Sequence, residues 1–179
     1  IDVSDSYFNS HVLYNVWAAG STTSYEVKNL SPITEYQFRI RSYNKNGTSP
    51  NSNIVTTITA PNIPYLNYYY LDDALATESS FFPYWSEDSD ATSYFIDVSL
   101  TRSFRTLLPG YDNLEVPGPY PEIDGLDQGT TYYFRVRSHG VGGTSPSSEP
   151  AVAFTNFAPP VAKPATEIKG SEEHTSELQ

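Results

Sequence analysis

The chain has 179 residues, 38% of them hydrophobic and 15% aromatic, with 15 Tyr, 14 Pro, 10 Gly and no Cys. That suffices for one or two packed domains, while the lack of Cys excludes a disulfide framework, a thiolate metal site and a Cys nucleophile. A formal charge of −11 repels phosphate backbones and anionic lipid, so no nucleic-acid partner is expected, and no run of about 18 apolar residues is present that would insert into a membrane.

The chain opens on Ile1-Asp2-Val3-Ser4 with neither Met nor a leader pattern, as expected of an internal fragment or a mature product. Leu30–Ser52 reads LSPITEYQFRIRSYNKNGTSPNS. Within it Tyr36, Phe38 and Ile40 alternate with Gln37, Arg39 and Arg41, which is the period of a strand with an apolar inner face and a polar outer one. Asn46-Gly47 is a hairpin turn signal. A Pro-containing join follows around Ala60–Pro64, then Tyr68, Tyr69 and Tyr70 on an expected first strand. In the next expected strand Phe81, Pro83 and Trp85 point inward, and Phe82 and Tyr84 point outward. Pro83 removes a ladder donor, so pairing with the preceding strand is expected to break there. Tyr94, Ile96 and Val98 then alternate with Phe95, Asp97 and Ser99. Turn signals recur at Pro109-Gly110, Pro117-Gly118-Pro119 and Gly142-Gly143. In Tyr132–Arg137 the inward set is Tyr132, Phe134 and Val136. No segment has helical spacing.

The chain repeats itself. Leu126–Ser148 reads LDQGTTYYFRVRSHGVGGTSPSS and aligns without a gap to Leu30–Ser52 at an offset of 96, with 12 of 23 positions identical. Chance would give roughly one or two matches at about 7% per common residue. Ile1–Ser4 matches Ile96–Ser99 at an offset of 95. The period is that of a small antiparallel sandwich and is too long for helical solenoids.

These residues resemble the fibronectin type III family. Leu30 with Tyr36, and Leu126 with Tyr132, stand six apart before an alternating strand, like that family's tyrosine corner, in which the phenol hydrogen-bonds to the backbone upstream. Trp85, nine residues before Tyr94, resembles its core Trp. Gly47-Thr48-Ser49-Pro50 and Gly143-Thr144-Ser145-Pro146 resemble its F–G turn. Ser80-Phe81…Trp85, Tyr94…Ser99 and Leu126…Arg137 together are most similar to tandem modules of large secreted or surface proteins of bacteria. The resemblance implies an all-β fold of tandem immunoglobulin-like antiparallel β-sandwiches. It divides the chain into a partial module at 1–61 lacking strands A and B, a complete module at 63–157, and a linker or the start of a further module at 158–170. Residues 171–179 resemble a translated sequencing adapter and are expected to be non-native. Setting aside Glu172, Glu173 and Glu177 changes the formal charge from −11 to −8.

No nucleophile elbow, phosphate loop or His–Glu metal motif is present in the sequence. His11 and His139 read as loop histidines, and the expectation is a protein that is not an enzyme and takes no cofactor. Glu87, Asp88 and Asp90, with Asp72 and Asp73, are acidic loop residues without the spaced ligand pattern of a calcium loop. Arg39, Arg41, Arg135 and Arg137 are expected to pair across strands with acids such as Asp97. Asn29-Leu30-Ser31 and Asn46-Gly47-Thr48 fit the glycosylation sequon. Tyr68, Tyr70, Phe82 and Tyr84 are the candidate ligand contacts, since exposed aromatic rings stack on sugars or anchor protein partners. The expected role is a spacer or scaffold array in an extracellular or cell-surface multidomain protein, with neighbouring modules as partners. The alternatives are a glycan- or protein-binding adhesion module, and an accessory region of a secreted hydrolase.

Overall fold

The structure, a computed structural model, describes residues 1–5, 13, 16–66 and 76–161. Among these there is no helix and every named strand pairing is antiparallel. The strands are β1 (Asp2–Ser4), β2 (Glu35–Arg39), β3 (Tyr43–Asn44), β4 (Gly47–Thr48), β5 (Val55–Ile58), β6 (Ser93–Ser99), β7 (Leu114–Val116), β8 (Thr131–Gly140), β9 (Gly143–Thr144) and β10 (Ala151–Phe154).

Two sheets carry the repeat. The first has the order β1-β2-β5, and the second the order β10-β8-β6-β7, with β9 hydrogen-bonded to β8. Their registers superimpose at the sequence offsets: Asp2 pairs with Arg39 as Asp97 pairs with Arg135, and Glu35 pairs with Ile58 as Thr131 pairs with Phe154. The long strand β8 is the counterpart of both β2 and β3, which are interrupted at Ile40–Ser42.

Opposite the second sheet the chain forms isolated bridges, Leu66 with Trp85, Ala76 with Phe81, and Phe81 with Ile123. Phe81 and Ile123 exchange two backbone hydrogen bonds of 3.0 Å each. Bridges fall at Phe81 and Trp85; the pairing of Pro83 with the preceding strand, expected to break, falls on residues 67–75, outside the described ones. Phe81, Pro83 and Trp85 are buried and Phe82 and Tyr84 half-buried, as the alternation required. Between the two layers lies one core around Trp85, Ile96, Val98, Ile123, Phe134 and Val136, all fully buried. Trp85 packs on Tyr94 with ring centroids 5.3 Å apart.

The first sheet has no such cover among the described residues. Its buried large apolar side chains are Val3 and Tyr36. Ile40, expected inward, is 50% exposed, whereas its counterpart Val136 is 0% exposed. Conversely Gln37, expected outward, is buried. Alternation selects a face of a strand, but burial requires a second layer to meet that face.

Candidate functional site

The polar side chains fall into frames that recur in both units. Tyr36 Oη accepts the amide hydrogen of Ser31 at 3.0 Å, and Tyr132 Oη accepts that of Asp127 at 2.9 Å. Thr59 Oγ1 donates to Ser31 O and Thr155 Oγ1 to Asp127 O, both at 2.6 Å. Ser52 and Ser148 hydroxyls accept the amides of Ile40 and Val136 at 2.9 and 3.0 Å. Six residues before each of these tyrosines, Leu126 is buried and Leu30 half-buried.

The charged residues form a second repeated frame. Asp97 Oδ2 accepts from Arg135 Nε at 2.8 Å, and Asp97 Oδ1 from an Arg137 terminal nitrogen at 2.9 Å and from the Asn113 amide at 2.8 Å. Asp2 holds Arg39 and Arg41 in the same way, at 3.1 and 3.2 Å. Both aspartates are buried. Strand periodicity places Asp97 on the outer face, and the two arginines then lie over it. The Arg135 guanidinium also sits 4.6 Å from the centroid of the Phe104 ring.

The remaining candidates separate. Tyr68 and Tyr70, like Asp72, Asp73 and His11, lie outside the described residues. Tyr84 stacks on Tyr120 with centroids 4.4 Å apart and planes at 24°. Tyr120 arrives from the Pro117–Pro121 turn with φ of 64°, and its amide donates to Pro83 O at 3.1 Å. That pairing was not visible in the sequence, because only the turn conformation brings Tyr120 beside Tyr84. Phe82 is half-buried, and no ring partner for it is described.

The acidic loop is occupied by backbone. Asp88 Oδ1 accepts the amide of Asp90 at 3.0 Å and Oδ2 that of Asn62 at 3.1 Å. Among the described residues no group of three or more His, Cys, Asp or Glu is placed to hold a metal ion. His139 Nδ1 lies 2.8 Å from Thr144 Oγ1, a cross-strand neighbour. Tyr111 is a described group whose ionisation is displaced. Burial, and then its hydrogen bond to Asp124, raises its pKa above the ordinary tyrosine value.

Residues 4–58 match the sequence model of the fibronectin type III domain. The chain is 31% identical to rat neogenin over 133 residues, covering 72% of this chain and 10% of that protein. It is 37% identical over 123 residues to human fibronectin type III and SPRY domain-containing protein 2, covering 66% of this chain and 16% of that protein. Against orangutan (Pongo abelii) fibronectin type-III domain-containing protein 3A the identity is 25% over 89% of this chain and 14% of that protein. These relatives are vertebrate proteins, and the likeness to bacterial modules expected from the sequence is not represented by them. Among solved structures, the chicken CNTN1 FN1–FN3 domains align with a TM-score of 0.40 at 16% identity, covering 74% of this chain and 46% of that one. The sixth fibronectin type III domain of human fibronectin type III domain containing protein 3 aligns with a TM-score of 0.40 at 22% identity, covering 59% and 95%.

Proposed function

Because the chain belongs to the fibronectin type III family, by the match of residues 4–58 together with its 31% identity to rat neogenin over 72% of its length, we propose that it is a non-catalytic pair of modules that spaces and presents other parts of an extracellular or cell-surface multidomain protein. The proposed modules are residues 1–61, lacking strands A and B, and residues 63–157, with 158–170 as a linker or the start of a further module. One observation carries the reading: the buried ionic frame of one unit, Asp97 with Arg135 and Arg137, is rebuilt in the other by Asp2 with Arg39 and Arg41. In each unit one aspartate and two arginines tie strands together. The chain spans about a tenth of the length of the neogenins it matches, so activity in the parent protein can reside elsewhere, including the proposed alternative of a secreted hydrolase. The partners proposed are neighbouring modules of the same chain.

A second reading, a glycan- or protein-binding adhesion module, is favoured by the Tyr84–Tyr120 stack, since paired aromatic faces suit sugar rings. Titration of the chain against a panel of soluble polysaccharides separates the two. A folded chain that binds none of them is the outcome expected of a spacer. Saturable binding that Tyr84→Ala abolishes, with thermal unfolding unchanged, would overturn the spacer reading in favour of the second.

A further inference from the structure

The join between the two units does not hang in solvent. Pro61 is buried, although its neighbours Asn62 and Ile63 are exposed. The surface that buries it is the β8–β9 hairpin of the second unit together with the loop at Asp88. Ser138 donates its hydroxyl to the carbonyl oxygen of Asn62, and Asp88 accepts the Asn62 amide at 3.1 Å. Both backbone polar groups of Asn62 are thus fixed by one unit while Thr59 belongs to the other, where its amide donates to Thr34 O at 3.1 Å.

Two glycines make this approach feasible. A Cβ on Gly142 would overlap the carbonyl oxygen of Thr59. A Cβ on Gly140 would stand 2.6 Å from Asp90 O and 2.8 Å from Pro61 Cγ. Either side chain would occupy the space the join now fills. At the offset of 96 the first unit has Asn44 and Asn46 at these positions and Ser42 in place of Ser138, and all three are exposed. The two hairpins are equal in length and register, at 43–48 and 139–144. They differ at two of the three positions where the second one touches the join, Asn44 and Asn46 standing where Gly140 and Gly142 do, while Ser42 matches Ser138.

We propose that the β8–β9 hairpin and Asp88 form a socket for the join that enters from a preceding module, and that this socket sets the angle between the two units. The side chains Asn44 and Asn46 close the equivalent surface of the first unit to such a join. Relative motion is the default for modules on a short linker, so the socket is a departure that can be measured. It deepens the spacer reading and can fail separately from it: a chain that binds a polysaccharide yet holds a fixed angle sinks only the spacer.

The test is an interspin distance measurement on the full chain. With no native Cys, Lys45→Cys and Arg102→Cys place one spin label on each unit at exposed positions. Pulsed electron resonance is expected to give a single narrow distance distribution, which Gly140→Asn/Gly142→Asn broadens while the β-sheet circular dichroism is retained. A broad distribution in the parent chain, or one left narrow in the folded double variant, overturns the proposal. If the double variant does not fold, Ser138→Ala, which removes only the bond to Asn62 O from the join, replaces it. Broadening there supports the socket, and an unchanged distribution overturns it.

Discussion

The phenol oxygen of Tyr132 accepts the amide hydrogen of Asp127 at 2.9 Å, five residues upstream in a corner where Tyr132 is 2% exposed. Replacing Tyr132 with Phe keeps the ring packing and leaves that amide without its acceptor. An amide stripped of its partner in a part-buried site costs about 1–3 kcal/mol. Urea unfolding of the chain is expected to show a loss of that size in the transition of the second unit, with its slope unchanged. A midpoint equal to the parent's would mean that water replaces the bond and that the corner contributes nothing.

Asp97 → Ala tests the ionic frame. The carboxylate accepts from two guanidinium groups and one amide, and its side chain is 2% exposed, against 33% for Arg135 and 23% for Arg137. Removing one partner of a fully buried pair costs about 3–5 kcal/mol. Here the arginines retain water, so a loss of about 2 kcal/mol is expected. Denaturant titration checks this, and a Leu at the same position distinguishes lost charge from lost packing. Stability equal to the parent's in the Ala variant would show that solvent satisfies both arginines.

How far the sequence reveals this protein follows from what each pattern encodes. Alternation at Tyr132, Phe134 and Val136 states which side chains share a face, and the core confirms it. The offset of 96 states which residues are equivalent, and the paired hydrogen bonds at Thr59 and Thr155 follow it. Neither pattern states what covers a face. Ile40 repeats Val136 in sequence, yet is half exposed where Val136 is fully buried. Asp97 lies on the outer face but is buried, because the cross-strand register sets Arg135 opposite it. Tyr120 was not legible as the partner of Tyr84, since a residue with φ of 64° in a Pro-rich turn follows no period. The role of Gly142 was hidden for another reason: it reads as a turn glycine, while its demand for space comes from Thr59, about eighty residues earlier in the chain.

Tyr111 gives the chain a dependence on alkaline pH. Its hydroxyl donates towards Asp124 and accepts the Asp124 amide at 2.9 Å, and burial first, then this bonding, raises its pKa. A raised value in the folded state means that the neutral phenol is favoured there. Its contribution is therefore complete below the ordinary tyrosine pKa and is lost as pH rises through the folded value. Chemical unfolding at a series of pH values from neutral upward is expected to show a decline in the alkaline range that Tyr111→Phe reduces. An ultraviolet titration in which Tyr111 ionises with the exposed tyrosines would remove the basis for it.

Val136 → Thr and Ile40 → Thr are the same kind of change at equivalent positions of the two units, and their costs are expected to differ. Val136 is 0% exposed within the core, so the new hydroxyl must be buried among apolar side chains. Burying a hydroxyl without a compensating bond costs about 1–3 kcal/mol in proteins. Ile40 is 50% exposed, and surface changes of this kind usually fall within about 0.5 kcal/mol of zero. Thermal unfolding followed separately for each unit, by amide signals assigned to β2 and β8, measures both. Equal losses at the two positions would mean that the first sheet acquires a covering layer in solution. Its apolar face would then be closed by a partner, whether chain outside the described residues or a second copy. The expected asymmetry, with Val136 → Thr destabilising and Ile40 → Thr near neutral, instead leaves that face open in the isolated chain.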